Sequence, residues 1–390
     1  MTISLADSRV LIVDDNEFNR KSLAMVIRKA GIVAIEFAVD GLDGLAKVEG
    51  FHPDLILLDV DMPNLDGLEM CRRLRANPAH ATLPVLFQTA LDSDQEQVNC
   101  FNAGGSDFIS KPIKPGECVA RVRHQLEKRK LFNDLSAFRE RVERELRHAQ
   151  AMQLSLLPEK ETLEAVGARH GLAISSHFET SSELGGDLWT VFDLDDDHVG
   201  FLIVDFAGHG ITAAINTFRL HTVFERLSDD RYDPSVWLTA LSAQLKEVLP
   251  VGQFATAFYG VLDITTDTML FATAGAPNPV LGVGVGVGDG ISLVDSAGFP
   301  LGATRRAVYQ NRTLSLPKGG FLFLYSDALI ECQDRQGKAL EHDGVLTLVR
   351  QAVVEQPGAP LDWMLDRFFG AVDRPLRDDL TAVWIERRRD

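Results

Sequence analysis

Cysteine is scarce in this sequence: four of the 390 residues are cysteines, and none belongs to a CxxC pair or to a Cys/His spacing typical of a metal site. A reduced cytoplasmic protein with buried or incidental thiols is therefore the simplest expectation. No run of about 18 consecutive apolar residues occurs, and no basic segment precedes a long apolar stretch near residue 1. The sequence therefore predicts neither a secretion signal nor a membrane span.

Basic residues are also in deficit, with 39 Lys and Arg against 56 Asp and Glu and a formal net charge of -17 at pH 7. Proteins that hold nucleic acid through phosphate contacts need a basic surface. No helix-turn-helix signal follows the first domain either, so a DNA-binding regulator is the weakest functional hypothesis. The 45% hydrophobic content is sufficient for two folded domains.

Short apolar runs alternate with amphipathic segments through the first 125 residues. This alternation predicts a βα repeat, in which nearly continuous apolar strands form a parallel sheet covered by helices on both faces. Sites in such sheets form beyond the carboxyl ends of the strands. Four polar side chains lie at those predicted ends: Asp14, Asp59, Thr89 and Lys111.

The motifs VDDN, LLDVDMPNLDG, QTA and KP occur there in the order and spacing of a response-regulator receiver domain, which residues 5–125 resemble. The resemblance implies a flavodoxin-like, doubly wound fold. It also implies that Asp59 accepts a phosphoryl group from a histidine kinase or a phosphotransfer protein.

The same resemblance assigns roles to the residues around the phosphoacceptor. It implies that Mg²⁺ is held by Asp14, Asp15 and the backbone carbonyl of Asp61, that Lys111 pairs with the carboxylate or the product, and that Thr89 and Phe108 form the switch. The chemistry is consistent, because a hard cation with oxygen ligands offsets the repulsion between carboxylates and an incoming phosphoryl group.

Residues 115–157 form one long helical pattern with no proline or glycine after Gly116. Apolar residues recur at spacings of three and four from Leu131 to Ala149, and charged residues occupy the other faces. This pattern predicts a coiled-coil seam that pairs two chains, although the steps near Leu126 and Val142 depart from a strict heptad. The alternative is a single amphipathic helix packed on one of the domains.

From about residue 160 the sequence changes to strand-like runs separated by turns, with helical stretches at 211–229, 234–249, 341–355 and 361–372. This mixture predicts an α+β sandwich in which helices flank packed sheets. The glycine-rich segment 282–290 predicts a flexible hairpin and not a phosphate loop, because no GK[ST] follows it.

Seven segments of this half, in order and spacing, resemble the metal-dependent type 2C serine/threonine protein phosphatases of the bacterial branch that includes the sporulation stage II E and stress-response enzymes. They are ELGGDLW, VDFAGHG, ATAFYGVLD, TAGAPNPVL, GFPLG, YSDALIE and RDDLTAVWI. The resemblance covers about residues 150–388.

This second resemblance implies a pair of Mn²⁺ or Mg²⁺ ions. One ion would be held by Asp187, Asp205 and the carbonyl of Phe206, and the other by Asp205, Asp327 and Asp378, so that Asp205 bridges them. Two ions about 3.5–4 Å apart can activate a shared water and clamp the phosphate oxygens.

Two positions depart from the family pattern. Ala276 stands where many members carry histidine, and Leu188–Trp189 replaces a more common pair of aromatics after GGD. We expect these changes to affect substrate fit and phosphate contacts more than catalysis, because the four carboxylates are intact. His209 could be a ligand or a general acid, but its GHG context favours a role in the turn.

The leading hypothesis is a cytoplasmic response regulator with a receiver domain at 1–125, a helical connector at 126–158 that forms a homodimer, and a phosphatase domain at 159–390. Phosphorylation of Asp59 would control metal-dependent dephosphorylation of phosphoserine or phosphothreonine on a partner protein. The resemblance implies that this partner is a small STAS-type anti-sigma-factor antagonist. The competing hypothesis is a non-catalytic adaptor that binds a sigma factor or another regulator when phosphorylated.

Overall fold

A computed structural model describes residues 5–89, 94–208, 210–227, 230–284 and 290–389. The chain divides into two compact units, Met1–Val142 and Glu143–Asp390. The division falls inside helix α5, which runs from Pro115 to Leu154. None of the helices in the described part of the chain is both long enough and apolar enough to cross a membrane.

The first unit contains a five-stranded parallel sheet with the strand order β2-β1-β3-β4-β5. Its strands are β1 (Arg9–Val13), β2 (Ala34–Ala38), β3 (Leu55–Asp59), β4 (Val85–Thr89) and β5 (Asp107–Ser110). Four helices connect them: α1 (Glu17–Lys29), α2 (Gly41–Phe51), α3 (Gly67–Ala76) and α4 (Asp94–Asn102). This strand order is that of the flavodoxin-like fold, which confirms the predicted fold class.

Both faces of this sheet are buried, as its apolar strands predicted. On β1, Leu11 and Val13 belong to the core on one face, and Val10 and Ile12 belong to the core on the other. Strand β2 begins at Ala34, although the apolar run of the sequence begins two residues earlier at Ile32. The reason is that the Ile32 amide still donates to the carbonyl of Ile27, so Ile32 completes the end of α1.

Helix α5 is buried in its first part and again at Gln153 near its end. Cys118, Val122 and Leu126 lie in the core of the first unit. The helix ends at Leu154, three residues before the end of the predicted helical pattern at residue 157. Leu156 and Leu157 turn away from the helical path and pack against a core of the second unit, which fixes the earlier end.

The second unit contains two five-stranded antiparallel sheets, ordered β13-β10-β9-β8-β7 and β12-β11-β14-β15-β6. The strands are β6 (Leu172–Glu179), β7 (Asp187–Asp193), β8 (His198–Phe206), β9 (Ala255–Asp263), β10 (Thr268–Ala274), β11 (Val280–Gly282), β12 (Ile291–Leu293), β13 (Arg312–Ser315), β14 (Phe321–Tyr325) and β15 (Leu380–Arg387). The helices are α6 (Lys160–His170), α7 (Ile211–Arg226), α8 (Pro234–Val248), α9 (Ala328–Glu331), α10 (Glu341–Glu355) and α11 (Pro360–Ala371).

The two sheets pack face to face, and helices cover their outer faces. Alternate residues of β8 show this layering: Phe201 and Ile203 lie in the core between the sheets, while Leu202 and Val204 face the core beneath α7 and α8. Helices α10 and α11 cover the other sheet. The predicted α+β sandwich is therefore confirmed.

Helix α6 and the glycine-rich segment compare differently with what the sequence predicted. Helix α6 was not predicted, because residues near 160 were interpreted as the start of a strand-rich region. Around the glycine-rich segment, β11 pairs with β12 as a hairpin would require. Residues 285–289 and His209 lie outside the described residues, so the predictions made for them stay predictions.

Candidate functional site

The first candidate site lies at the carboxyl edge of the parallel sheet. Asp14 follows β1, Asp59 ends β3, and Lys111 follows β5. The Lys111 ammonium lies 2.7 Å from Oδ1 of Asp59 and 3.9 Å from Oδ2 of Asp14. One carboxylate oxygen from each of Asp14, Asp15 and Asp59 can be chosen so that all three lie within 4.8 Å of one another.

This acidic cluster fits a divalent cation. Oδ1 of Asp14 accepts hydrogen bonds from the Asn16 amide at 2.9 Å and from Nδ2 of Asn19 at 3.3 Å, whereas the buried Oδ2 has no hydrogen-bond partner among the described residues. Burial raises the pKa of Asp59, and the hydrogen bond from Lys111 opposes that rise. A cation at this edge would satisfy Oδ2 and favour the ionised carboxylates.

Close backbone packing fixes the turn after the phosphoacceptor candidate. A Cβ on Gly67 would lie 2.0 Å from the carbonyl oxygen of Asp59, so only glycine lets α3 begin against the end of β3. Asp66 caps α3 by accepting the Glu69 amide at 2.7 Å. Asp61, the predicted carbonyl ligand, is exposed in this turn.

The two predicted switch residues lie on neighbouring strands. The Thr89 hydroxyl, at the end of β4, donates to Oε2 of Glu96 on α4 at 3.1 Å. Phe108 on β5 is half-buried, meets the ring of Phe101 edge to face at 6.1 Å, and lies 5.3 Å from the Arg121 guanidinium. Thr89 is thus bonded to the neighbouring helix.

The second candidate site is built at the ends of strands in the second unit. Asp187 and Asp205 are paired directly across β7 and β8, which brings their carboxylates to the same edge. Asp327 follows β14, and Asp378 precedes β15 next to it in the same sheet.

These four carboxylates act strongly on one another. Burial raises the pKa of Asp205 well above its usual range, and the negative charges of Asp187 and Asp327 raise it further, with Asp378 adding to the effect. Burial likewise raises the pKa of Asp187, opposed by the hydrogen bond from Thr381. Burial and the charge of Asp378 raise the pKa of Asp327 to about 6. A cluster of this kind is stabilised by protons or by cations.

Backbone oxygens add to this acidic edge. A Cβ on Gly186 would lie 2.9 Å from the Phe206 carbonyl oxygen and 3.2 Å from that of Gly208. Glycine at this position therefore leaves room for both carbonyls beside Asp187. Oδ1 of Asp187 is buried without a hydrogen-bond partner among the described residues. Carboxylate and carbonyl oxygens of this kind suit Mg²⁺ or Mn²⁺.

Several residues that hold this site were missed at the sequence level. The Thr381 hydroxyl donates to Oδ2 of Asp187 at 2.6 Å. Asp379 is 2% exposed and accepts the amides of Ser181 at 2.7 Å and Gly186 at 2.5 Å, so it ties the loop before β7 to β15. The side chain of Gln153 bonds the same loop at Gly185. The DD pair at 378–379 was a visible signal, but only one of its members was interpreted.

The departures from the family pattern lie in the protein interior. Leu188 packs in the core beneath α7 and α8, whereas Trp189 and Ala276 pack in the core between the sheets. The expected effect of these positions on substrate fit stays a prediction. Their side chains face packed apolar neighbours, so the replacements adjust core packing.

Two protein families match the chain. The response regulator receiver domain matches residues 10–123, and Stage II sporulation protein E matches residues 195–388. The second match includes Asp205, Asp327 and Asp378, whereas Asp187 lies just before it.

Curated relatives match between about a third and a half of the chain. Response regulator MprA of Mycobacterium ulcerans is 41% identical over 129 residues, which are 33% of this chain and 54% of that protein. The DNA-binding dual master transcriptional regulator RpaA of Synechocystis is 30% identical over 209 residues, which are 48% of this chain and 80% of that protein. The chain thus spans about half the length of the MprA proteins that it matches.

A solved structure matches about two thirds of the chain in fold. The SiaA-PP2C domain of Pseudomonas aeruginosa aligns with a TM-score of 0.56, covering 65% of this chain and 99% of that domain at 18% identity. At this identity the likeness concerns the fold alone, which is the sandwich described above.

Proposed function

Because the chain belongs to the response-regulator family and joins its receiver domain to a SpoIIE-type protein phosphatase domain, we propose that phosphorylation of Asp59 controls a metal-dependent phosphatase. Its substrate is phosphoserine or phosphothreonine on a partner protein. The observation that carries the proposal is the group of four mutually repelling carboxylates at Asp187, Asp205, Asp327 and Asp378, which needs cations to stay ionised.

In the receiver domain, Asp14, Asp15 and the Asp61 carbonyl would hold Mg²⁺ beside Asp59. Lys111 already pairs with the Asp59 carboxylate at 2.7 Å and is placed to pair with a phosphoryl oxygen once Asp59 is modified. Thr89 can donate to that phosphoryl group only after its hydroxyl leaves Glu96. Movement of Thr89 then changes the environment of Phe108, which lies on β5 two residues before Ser110, the partner of Thr89 in the sheet.

In the phosphatase domain, the residues that would hold two Mn²⁺ or Mg²⁺ ions are Asp187, Asp205, Asp327, Asp378 and the Phe206 carbonyl. Divalent ions bound there supply a water of lowered pKa and neutralise charge on the phosphate. The chain's own contribution is orientation. Thr381 holds one oxygen of Asp187, and the buried Oδ1 has no hydrogen-bond partner among the described residues, while Asp379 fixes the loop that leads to Asp187.

The proposed partners follow from the domain pair. A histidine kinase or phosphotransfer protein would supply the phosphoryl group, and a phosphorylated STAS-type anti-sigma-factor antagonist is the proposed substrate. A homodimer through α5 is supported by its exposed apolar side chains, which are 53–67% accessible. These side chains are Leu131, Phe132, Leu135 and Phe138. Pairing two such helices would bury them.

The test is phosphate release from a phosphoserine protein with Mn²⁺, measured with and without a small-molecule phosphodonor. We expect Asp205→Ala to lower the rate by roughly a thousandfold, since metal ions contribute several kcal/mol to such transition states. Asp59→Ala should keep the basal rate and lose the response to the donor. The control is Asp343→Ala, which removes an exposed carboxylate on α10.

Two outcomes would contradict the proposal in different ways. A wild-type protein without metal-dependent turnover on phosphoserine or phosphothreonine proteins would favour the non-catalytic adaptor. A donor response that persists in Asp59→Ala would leave the phosphatase in place but remove Asp59 as its switch.

A further inference from the structure

The last turn of α5 contains a buried amide that bonds both backbone groups of one glycine. Nε2 of Gln153 donates to the Gly185 carbonyl at 2.6 Å, and the Gly185 amide donates to Oε1 of Gln153 at 3.1 Å. Gln153 is 2% exposed. Nε2 also lies 3.3 Å from the Thr217 hydroxyl oxygen on α7, which itself donates to the Ala214 carbonyl. We call the pair of bonds to Gly185 the Gln153 clasp.

The clasp holds the loop before β7, and close packing against Asp379 also restricts this loop. Gly185 lies two residues before Asp187, and a Cβ on Gly185 would lie 2.7 Å from Oδ2 of Asp379. Asp379 in turn accepts the amide of Gly186 at 2.5 Å. The backbone that leads into β7 is therefore held from one side by Gln153 and from the other by Asp379.

We propose that Gln153 is a positioning residue for the phosphatase site: its clasp sets the backbone at Gly185 and Gly186, and thereby the carboxylate of Asp187 that would hold a divalent cation. The inference rests on the proposed function. Both clasp bonds are buried, so a side chain that cannot make them leaves the Gly185 amide and carbonyl without partners. The loop then shifts, and the Asp187 and Phe206 oxygens lose the spacing that a cation requires.

Because Gln153 lies in the last turn of α5, a movement of this helix could change cation binding through the clasp. Helix α5 is continuous from Pro115, which follows the receiver sheet, to Leu154. A rotation or translation of its last turn moves the Gln153 amide directly, because the side chain is buried and held by hydrogen bonds. Breaking the clasp in this way would weaken cation binding without altering any of the carboxylates.

The test uses full-length protein carrying Asp14→Ala, so that cation bound at the receiver cluster is not counted. Gln153→Met keeps the size of the side chain and removes its polar atoms, and Gln150→Met makes the same change one turn earlier on α5. Mn²⁺ binding is measured by electron paramagnetic resonance of the free ion. Unfolding temperatures in EDTA show whether each variant is folded.

We expect Gln153→Met to weaken Mn²⁺ binding by about tenfold or more, the size typical of residues that orient metal ligands. Phosphate release should recover at saturating Mn²⁺, and Gln150→Met should match the parent. Should Gln153→Met fail to fold, Gln153→Asn keeps an amide but is one methylene too short for the clasp, so the same loss is expected.

Unchanged Mn²⁺ affinity in a folded Gln153 variant would overturn the inference, as would an equal loss in Gln150→Met. A rate that stays low at saturating Mn²⁺ would overturn it too, because positioning of the cation would then not be the defect. Failure of the proposed function is distinguishable: the parent would bind Mn²⁺ but release no phosphate, and the resonance measurement would still decide the role of the clasp.

Discussion

The two acidic clusters, one in each unit, differ in how their negative charge is balanced. In the receiver cluster, the Lys111 ammonium lies 2.7 Å from Asp59 and 3.9 Å from Asp14. In the phosphatase cluster, the charged groups that act most strongly on Asp205 are other carboxylates. The first cluster contains its own counter-charge, whereas the second depends on cations or protons from outside. Metal binding should therefore be optional for the stability of the first unit and important for that of the second.

The largest expected effect concerns the stability of metal-free protein. A carboxyl whose pKa is raised on folding binds more protons in the folded state than in the unfolded state, so stability falls as pH rises from about 4 through the folded pKa. The pKa of Asp327 is raised to about 6, and those of Asp187 and Asp205 are also raised. In EDTA we expect the unfolding temperature to fall by on the order of 5 °C between pH 5 and pH 8.

This slope is measured by calorimetry of full-length protein. Saturating Mn²⁺ should remove the slope, because bound cations favour the ionised carboxylates at every pH in this range. Asp205→Asn should reduce it even in EDTA, since one repelling charge is lost. An unfolding temperature that rises with pH in EDTA would contradict this account of the cluster.

The next largest effect concerns the Lys111 ammonium, which is the counter-charge of the receiver cluster. Lys111→Met removes the ammonium beside Asp59 and Asp14 with little change in side-chain length. We expect Mg²⁺ affinity to rise by about tenfold, because the cation no longer meets a positive charge a few ångströms away. Isothermal titration measures the affinity, and Lys21→Met, an exposed lysine on α1, serves as the control. Unchanged or weaker binding would show that Lys111 does not oppose the metal.

The smallest effect concerns the hydrogen bond between Thr89 and Glu96. Glu96→Ala removes the hydrogen bond from the Thr89 hydroxyl to Glu96 before any phosphoryl group arrives, which removes a cost of about 1 kcal/mol from the switched state. The beryllofluoride concentration that gives a half-maximal change in phosphate release should fall by about threefold to fivefold. The neighbouring change Gln95→Ala should leave it unaltered, and an increase in the Glu96 variant would contradict the interpretation.

Much of the fold could be predicted because the sequence patterns that indicate it lie within short segments of the chain. Apolar strands buried on both faces, such as Leu55–Asp59, and turns with fixed motifs identified the receiver and the sandwich. Helix α6 was missed because its own sequence contributes little: its N-cap residue Glu159 makes no side-chain cap bond. Its place is fixed by Val166, which packs in the core between the sheets. Stabilisation of that kind comes from distant contacts and leaves no local pattern.

The same limit on prediction from sequence applies to the individual residues of the candidate site. Conspicuous carboxylates in motifs were easy to single out as candidates, and the structure brings Asp187 and Asp205 together across two strands. The groups that orient them were not visible, because Gln153 and Thr381 are common residue types in ordinary surroundings. Their roles come from partners 32 and 194 residues away in the chain.

The bond between Asp379 and Gly186 joins residues 193 positions apart. Closing so long a loop carries an entropic cost that must be met before the contact stabilises anything, so this edge should be among the last parts of the second unit to form. A nascent chain on the ribosome would therefore hold Asp187 and Asp205 in place only after residue 381 has emerged. The proposed phosphatase activity would therefore begin only after the last strand has been synthesised, so the order of synthesis itself would delay its onset.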